Sequence, residues 1–141
     1  MDLTIKPYEG VGEIRFGMSQ AEVRALVGGE YETFLKSQAS EMPTDDFFEK
    51  GIFVYYKQSG VCEAIEMALP AEPTFQGMKL MGRRFRELSP QIMREDPAAQ
   101  KDSSGLESRM FGFGLYVPDI EDDRDARVEG VIVFEKGYYD E

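Results

Sequence analysis

The chain contains no histidine among its 141 residues. This absence removes the commonest general base, the histidine partner of serine and cysteine nucleophiles, and most zinc and iron sites. A single cysteine excludes an intramolecular disulfide and favours a reducing compartment. Cys62 lies in an apolar run between Val61 and Glu63, which predicts a buried structural thiol. We therefore expect no catalytic residues and a protein that is not an enzyme.

Long apolar runs are also missing, because no stretch approaches the ~18–20 residues that span a bilayer. The segment Met1–Pro7 has neither the basic start nor the apolar run of a secretory signal, so we expect a cytoplasmic location. The run Gly112–Gly114 lacks the third glycine and the helix start of a phosphate-binding loop. The sequence thus predicts neither a cofactor nor a metal site.

Positive charge is scarce: 16 basic residues face 27 acidic ones, and the formal net charge is -11. A surface of this sign disfavours nucleic acid and anionic membranes as partners. It suits a basic protein partner, whose encounter the opposite field would accelerate. The alternative is that the charge serves solubility alone. We expect a monomer or a weak dimer.

One short helix is predicted with both of its ends. Ser19 is a good N-cap and Glu22 follows three residues later, which forms a capping box. Met18 and Val23 are placed to close a hydrophobic staple across that cap. Gly28-Gly29 provides the left-handed stop.

The first half of the chain otherwise reads as strands. Gly12–Phe16 and Tyr31–Leu35 are predicted strands on either side of the helix. Ser37–Asp46 is polar, contains a proline, and is predicted to be a loop. Gly51–Tyr56 and Val61–Met67 surround a glycine-ended turn and predict a β-hairpin.

The second half repeats this order loosely. A helix is predicted over residues 83–94, with a break or fresh start at Ser89-Pro90. Pro97–Gly105 is predicted to be a polar loop, and Phe113–Val117 a strand. Val128–Phe134 is apolar on both alternating faces, which predicts a strand near the middle of the sheet.

We interpret the chain as one domain, residues 1–141, made of related halves at about 10–69 and 74–136. A short helix and a hairpin are each unstable alone. Two copies side by side would form one antiparallel sheet with the helices on one face. The predicted class is therefore α+β, a two-layer sandwich of two tandem units.

The pattern Gly17-Met18-Ser19-x-x-Glu22-Val23-x-x-Leu26-x-Gly28 resembles the helix entry of the small α+β units in β-lactamase-inhibitor protein. It is also similar to the unit of outer-membrane assembly lipoproteins that share that fold. The resemblance implies tandem helix-plus-sheet units and a binding scaffold, not an active site. The chain departs from the lipoproteins because it has no cysteine near its start for lipid attachment.

Acidic and aromatic residues supply the candidate binding surface. The loop Asp119–Asp125 carries oxygen ligands, but it lacks the glycine and glutamate of an EF-hand calcium loop. Clustered carboxylates accept strong hydrogen bonds from arginine and lysine, and neighbouring tyrosines are competent hot spots. A second acidic cluster comprises Glu41, Asp45, Asp46 and Glu49. The predicted partner-binding residues are Asp119, Glu121, Asp122, Asp123, Asp125, Tyr116, Asp45, Asp46, Phe48, Tyr138 and Tyr139.

These observations favour a non-enzymatic, protein-binding inhibitor. Its sharpest form is a bacterial immunity-type protein that neutralises a basic toxin domain through an acidic surface. The alternative is a small regulatory or accessory domain that binds a metabolite or peptide on the sheet's open face.

Overall fold

The structure, a computed structural model, describes residues 1–35, 38 and 42–139. Its two helices are α1 (Gln20–Val27) and α2 (Phe85–Glu95). The strands before α2 are β1 (Ile5–Lys6), β2 (Gly10–Val11), β3 (Ile14–Arg15), β4 (Glu32–Phe34), β5 (Thr44–Phe47), β6 (Ile52–Tyr56), β7 (Cys62–Met67), β8 (Thr74–Phe75) and β9 (Met78–Lys79). Those after it are β10 (Gln100–Asp102), β11 (Gly105–Ser108), β12 (Phe113–Tyr116) and β13 (Gly130–Phe134). The predicted α+β class is confirmed.

Eight strands form the main sheet, in the order β10-β11-β12-β13-β7-β6-β5-β4, and every neighbouring pair is antiparallel. The hairpin β6–β7 is confirmed. Strand β13 pairs with both β12 and β7 and lies in the middle of the sheet, as predicted. Four consecutive strands from each half of the chain therefore meet at the β7–β13 ladder.

A small hairpin unit and a helix precede each set of four strands. Strands β1 to β3 form one separate sheet before α1, and β8 with β9 forms another before α2. The strand predicted at Gly12–Phe16 is confirmed only as the two-residue strand β3, and it lies outside the main sheet.

The predicted start and end of α1 are confirmed. The Ser19 hydroxyl accepts a hydrogen bond from the Glu22 backbone N–H at 3.1 Å, and the Glu22 carboxylate accepts one from the Ser19 N–H at 3.0 Å. At the other end Gly28 has φ 70°, which glycine adopts without strain.

The ladder register separates the two faces of the main sheet. One row of cross-strand neighbours packs into the core, and we call its side the core face. The row runs Leu106, Leu115, Val131, Met67, Ile52 and Phe47. Val23 of α1 and Leu88 of α2 belong to the same buried core. We call the opposite side the open face.

Two predicted loops contain strands. The end of Ser37–Asp46 forms strand β5, which pairs with β4 and β6. The polar composition of Thr44–Phe47 does not suggest a strand, because a buried aspartate is not expected from the sequence. Asp45 is nevertheless buried there, in an ion pair with Arg24. Positions 36, 37 and 39–41, including Glu41, lie outside the described residues. Pro97–Gly105 is also not a loop throughout, since β10 and the start of β11 form a hairpin there.

The break predicted at Ser89-Pro90 is wrong, because α2 continues from Phe85 to Glu95 with Pro90 inside it. Proline removes one backbone donor and costs ~3 kcal/mol or more in a helix interior. Burial of Leu88 and Ile92 on either side offsets that cost, since each contributes about 1.5–3 kcal/mol.

Candidate functional site

The open face carries one continuous row of side chains across all eight strands. From β10 to β4 the row consists of Gln100, Glu107, Gly114, Ile132, Glu66, Phe53, Asp46 and Glu32. Four of these eight residues carry carboxylates, and we call the whole row of eight residues the acidic row. Adjacent strands lie ~4.8 Å apart, so the four carboxylates are spread from β11 to β4, with Glu107 and Glu66 three strands apart.

Positive charge is absent from the strand positions of this face. All thirteen strands lie within the described residues, and the main-sheet strands place no lysine or arginine on the open side. Glu32 and Asp46 are direct cross-strand neighbours, an arrangement that is destabilising for like charges. Burial, reinforced by the Glu32 charge, raises the pKa of Asp46 above its ordinary value. The row therefore attracts cations, and one of its members, Glu107, already accepts a hydrogen bond at 2.8 Å from Arg109, which lies in the turn between β11 and β12.

Aromatic rings lie among these carboxylates. Phe34 and Phe53 meet edge to face with centroids 6.2 Å apart. The hydroxyl of Tyr55 donates a hydrogen bond to Glu66, and burial together with this bond raises the pKa of the phenol. Tyr116, the last residue of β12, is 52% exposed. Aromatic residues are enriched in protein interfaces relative to the rest of the protein surface.

The end of the described chain covers one corner of the open face. Tyr138 stacks on Phe134 with a centroid distance of 6.1 Å, and Tyr139 meets the same ring edge to face at 5.0 Å. Burial raises the pKa of Tyr139 to about 12, and the charges of Glu107 and Glu66 act in the same direction. The Tyr139 phenol therefore stays protonated at neutral pH and adds a hydrogen-bonding group to the acidic row.

A hollow of about 280 Å³ opens on this face between β11, β12, β13 and the end of the chain. Glycines at positions 114 and 130 line it together with carboxylates and tyrosine rings. Its lining includes Glu66, Asp102, Glu107, Tyr116, Ile132 and Tyr139. This volume lies just below the ~300–1,000 Å³ that small-molecule sites usually occupy, so the hollow suits a small group better than a drug-sized ligand.

The predicted acidic loop lies beside helix α2, away from the acidic row. The Asp125 carboxylate accepts a hydrogen bond from the Arg86 Nε at 2.7 Å, and this bond lowers the pKa of Asp125. The backbone N–H of Phe85, the first residue of α2, donates to the Ala126 carbonyl at 2.9 Å. Asp119, Glu121, Asp122, Asp123 and Asp125 are all exposed.

Asp45 is not available on the surface, although it was predicted to contact a partner. It occupies the core face of β5, where its side chain is fully buried. The carboxylate accepts hydrogen bonds from Arg24 Nε at 2.9 Å, Arg24 Nη2 at 2.7 Å and the Tyr56 hydroxyl at 2.8 Å. Asp45 therefore connects α1 to the sheet and has no free oxygen surface to offer a partner.

The structure brings together only part of the predicted surface. Asp46, Tyr116 and Tyr139 lie on or beside the open face, whereas Phe48 is exposed in the turn after β5. The remaining members of the acidic row are not evident from the sequence, because their strands are not neighbours along the chain. An acid within an otherwise apolar strand, such as Glu66 in β7, was the available signal, and it needed the strand order to become part of a surface.

Other kinds of site receive no support from the described part of the chain. Residues 1–35, 38 and 42–139 contain no group of three or more His, Cys, Asp or Glu placed to hold a metal ion. Within those same residues, no helix combines the length and apolar character needed to cross a membrane. Cys62 is fully buried, as predicted, and burial raises the pKa of its thiol to about 12.

The chain was also compared with known proteins. No protein-family model, no curated protein and no solved structure matches it.

Proposed function

We propose that this protein is a non-enzymatic binding protein that holds a basic protein partner against the open face of its main sheet. The observation that carries the proposal is the acidic row, which contains four carboxylates and has no cationic side chain among the strand residues of that face. In its sharpest form the protein is an inhibitor of the immunity type, which covers the functional surface of a basic toxin domain.

The charge of the open face selects the class of partner. Clustered carboxylates accept charge-assisted hydrogen bonds from lysine and arginine, and a net charge of -11 accelerates the approach of a basic protein. A second copy of this chain would present the same negative row and be repelled. Nucleic acid and anionic lipid would be repelled for the same reason.

The aromatic residues supply the contact area that charge alone does not. Tyrosine and phenylalanine bury large surfaces at low cost in side-chain entropy, and binding hot spots are enriched in tyrosine and arginine. Phe34 and Tyr116 are 42% and 52% exposed, on opposite halves of the sheet. A partner that spans the sheet would bury both rings and exclude water from the carboxylates between them.

We also propose that the fold consists of two related units in tandem, with both helices on the core face, as the resemblance to β-lactamase-inhibitor protein implies. The strand order supports this, because β4 to β7 and β10 to β13 occupy mirrored positions on either side of the β7–β13 ladder. Gly51 and Gly112, with φ 70° and 71°, immediately precede β6 and β12. Such a scaffold would offer a broad binding face with no need for catalytic groups.

The test compares two variants with the same change in charge. In the row variant, Glu32→Lys is combined with Asp46→Lys. In the loop variant, Asp122→Lys is combined with Asp123→Lys. Each tagged protein is used to capture partners from the native host lysate at low and high salt, and bound proteins are identified by mass spectrometry.

We expect the unaltered protein and the loop variant to retain one stoichiometric basic partner, with less recovered at high salt. The row variant should lose it. Because both variants change the net charge equally, a difference between them reports the position of the binding surface. Loss from the loop variant alone would assign recognition to Asp119–Asp125 instead, and capture of no basic partner by any of the proteins would refute the proposal.

A further inference from the structure

Two glycines in the hollow of the open face are not required by the backbone. The chain has 14 glycines, and all of them adopt positive φ except Gly114 and Gly130. Both lie in central strands of the sheet, where glycine weakens the strand and marks the close approach of another group. Their presence calls for a reason other than conformation.

Packing does not require glycine at these positions either. A Cβ atom on Gly114 would lie 3.4 Å from Ile132 Cγ2 and 3.5 Å from the Leu106 carbonyl oxygen. A Cβ atom on Gly130 would lie 3.4 Å from Tyr116 Cβ, also an ordinary contact. Alanine would therefore fit at both sites, whereas a larger side chain would enter the hollow that both glycines line.

The other half of the sheet shows the same position filled. Counting from the turn glycines Gly51 and Gly112, Gly114 occupies the place that Phe53 occupies in β6. Both residues belong to the acidic row, with Asp46 beside Phe53 and Glu107 beside Gly114. The second half therefore has a space, bordered by carboxylates, where the first half has an aromatic ring.

We infer that this hollow receives one basic side chain, an arginine or a lysine, from the protein partner of the open face. The inference rests on the proposed function and adds the specificity-determining pocket to it. Tyr116 and Tyr139 provide ring surfaces for a cation, while Glu66, Glu107 and Asp102 provide acceptors. The residues that line the hollow include no basic side chain of the chain itself.

Arg109 shows the same chemistry at the rim of the hollow. Its Nε donates to the Glu107 carboxylate at 2.8 Å, and its guanidinium carbon lies 5.7 Å from the centre of the Tyr139 ring. This arginine is largely exposed, so its ion pair is weak and open to competition. A partner side chain that enters the hollow would contact the same groups in a drier setting, where such contacts are stronger.

The first experiment titrates the isotope-labelled protein with Nα-acetyl-arginine amide and follows the backbone amide signals by NMR. The matched probe is Nα-acetyl-citrulline amide, which has a similar shape and no charge. We expect saturable shifts at Gly114 and Gly130 in the millimolar range with the arginine probe alone. Absence of those shifts, or equal shifts with citrulline, would overturn the inference.

Variants separate the charge of the hollow from its shape. Glu66→Gln keeps an acceptor for Tyr55 and removes one charge, and it should weaken binding of the arginine probe about five- to tenfold. Glu121→Gln removes an exposed charge outside the hollow and should leave binding unchanged. Equal affinity of the Glu66→Gln variant and the native protein would count against a basic side chain.

Gly114→Phe reproduces in β12 the ring that Phe53 supplies in β6, and it should abolish probe binding. Gly114→Ala is the milder variant, to be used if the first fails to fold, and it should weaken binding measurably. Native probe affinity in the folded variant would refute the inference.

The outcome separates the two proposals. A basic partner that is lost from the row variant, without probe binding, would leave the proposed function standing and remove the pocket. Probe binding without any basic partner would leave a pocket that binds basic groups, but it would remove both the proposed function and the assignment of a partner side chain to that pocket.

Discussion

Asp45 and Asp46 are neighbours on β5 with opposite surroundings, and the structure predicts opposite effects for the same substitution. Asp45→Asn places an amide against the Arg24 guanidinium in a site where the aspartate is fully buried. Breaking a buried ion pair costs ~3–5 kcal/mol, because the remaining charge stays desolvated. The Arg24 side chain is 28% exposed, so the guanidinium remains partly hydrated and the cost is smaller. We therefore expect the free energy of unfolding to fall by about 2–4 kcal/mol.

Asp46→Asn is the matched control, since it makes the same chemical change one residue along the strand. It removes a charge that faces Glu32 across β4 and β5. Relief of this like-charge contact should leave stability unchanged or raise it by ~0.2–1 kcal/mol. Urea unfolding and thermal melts followed by circular dichroism measure both variants. At this chain length the Asp45→Asn loss corresponds to a melting temperature lower by roughly 6–12 °C.

Two results would contradict this reasoning. If Asp45→Asn changes the unfolding free energy by less than ~0.5 kcal/mol, the ion pair with Arg24 does not hold α1 to the sheet. If both substitutions cost the same, the two carboxylates do not occupy different faces, and the register that defines the acidic row is wrong.

Three further predictions concern the fold. Ser19→Ala should lower the unfolding free energy by ~0.5–2 kcal/mol in urea titrations through loss of the capping bond, and no loss would contradict the cap. The Cys62 thiol should react with a disulfide reagent only as the protein unfolds, since it is buried with a raised pKa; fast labelling of the native protein would refute its burial. Tyr55 and Tyr56 have raised pKa values, so the stability linked to their protonation is complete below the ordinary pKa of about 10 and is lost as pH rises above it. Urea midpoints are measured from neutral to strongly alkaline pH. They should fall less steeply in the Tyr55→Phe, Tyr56→Phe double variant than in the native protein. Equal slopes would show that these two tyrosines do not cause the alkaline loss of stability.

Local patterns in the sequence predicted the elements whose stabilising interactions are also local. The capping box of α1 needs only Ser19 and Glu22, three residues apart, and the β6–β7 hairpin needs only its turn and two β-rich runs. Strand β13 was predicted to be central because a strand covered on both sides is apolar on both sides. These conclusions required no knowledge of distant contacts.

The errors share one cause, which is that distant contacts outweighed local composition. Thr44–Phe47 looks like a loop because it contains two aspartates, yet Asp45 is stabilised by Arg24, 21 residues earlier in the chain. Pro90 predicts a break in α2, yet burial of Leu88 and Ile92 keeps that helix continuous. In each case the deciding free energy came from contacts with other parts of the chain, which the local pattern does not include.

The same limit applies to the candidate site. Composition alone indicated an acidic protein with aromatic residues and no histidine, and so favoured binding over catalysis. Which acids share a surface depended on the order of the strands, since Glu66 and Glu107 lie far apart in sequence and in one row of the sheet. The sequence by itself determined helix α1, the β6–β7 hairpin and the sign of the charge, because these follow from neighbouring residues and from simple sums. Only the tertiary structure decided that Asp45 is buried, that Asp46 joins a row of carboxylates, and that Gly114 leaves a hollow, because each depends on what the fold brings across the sheet.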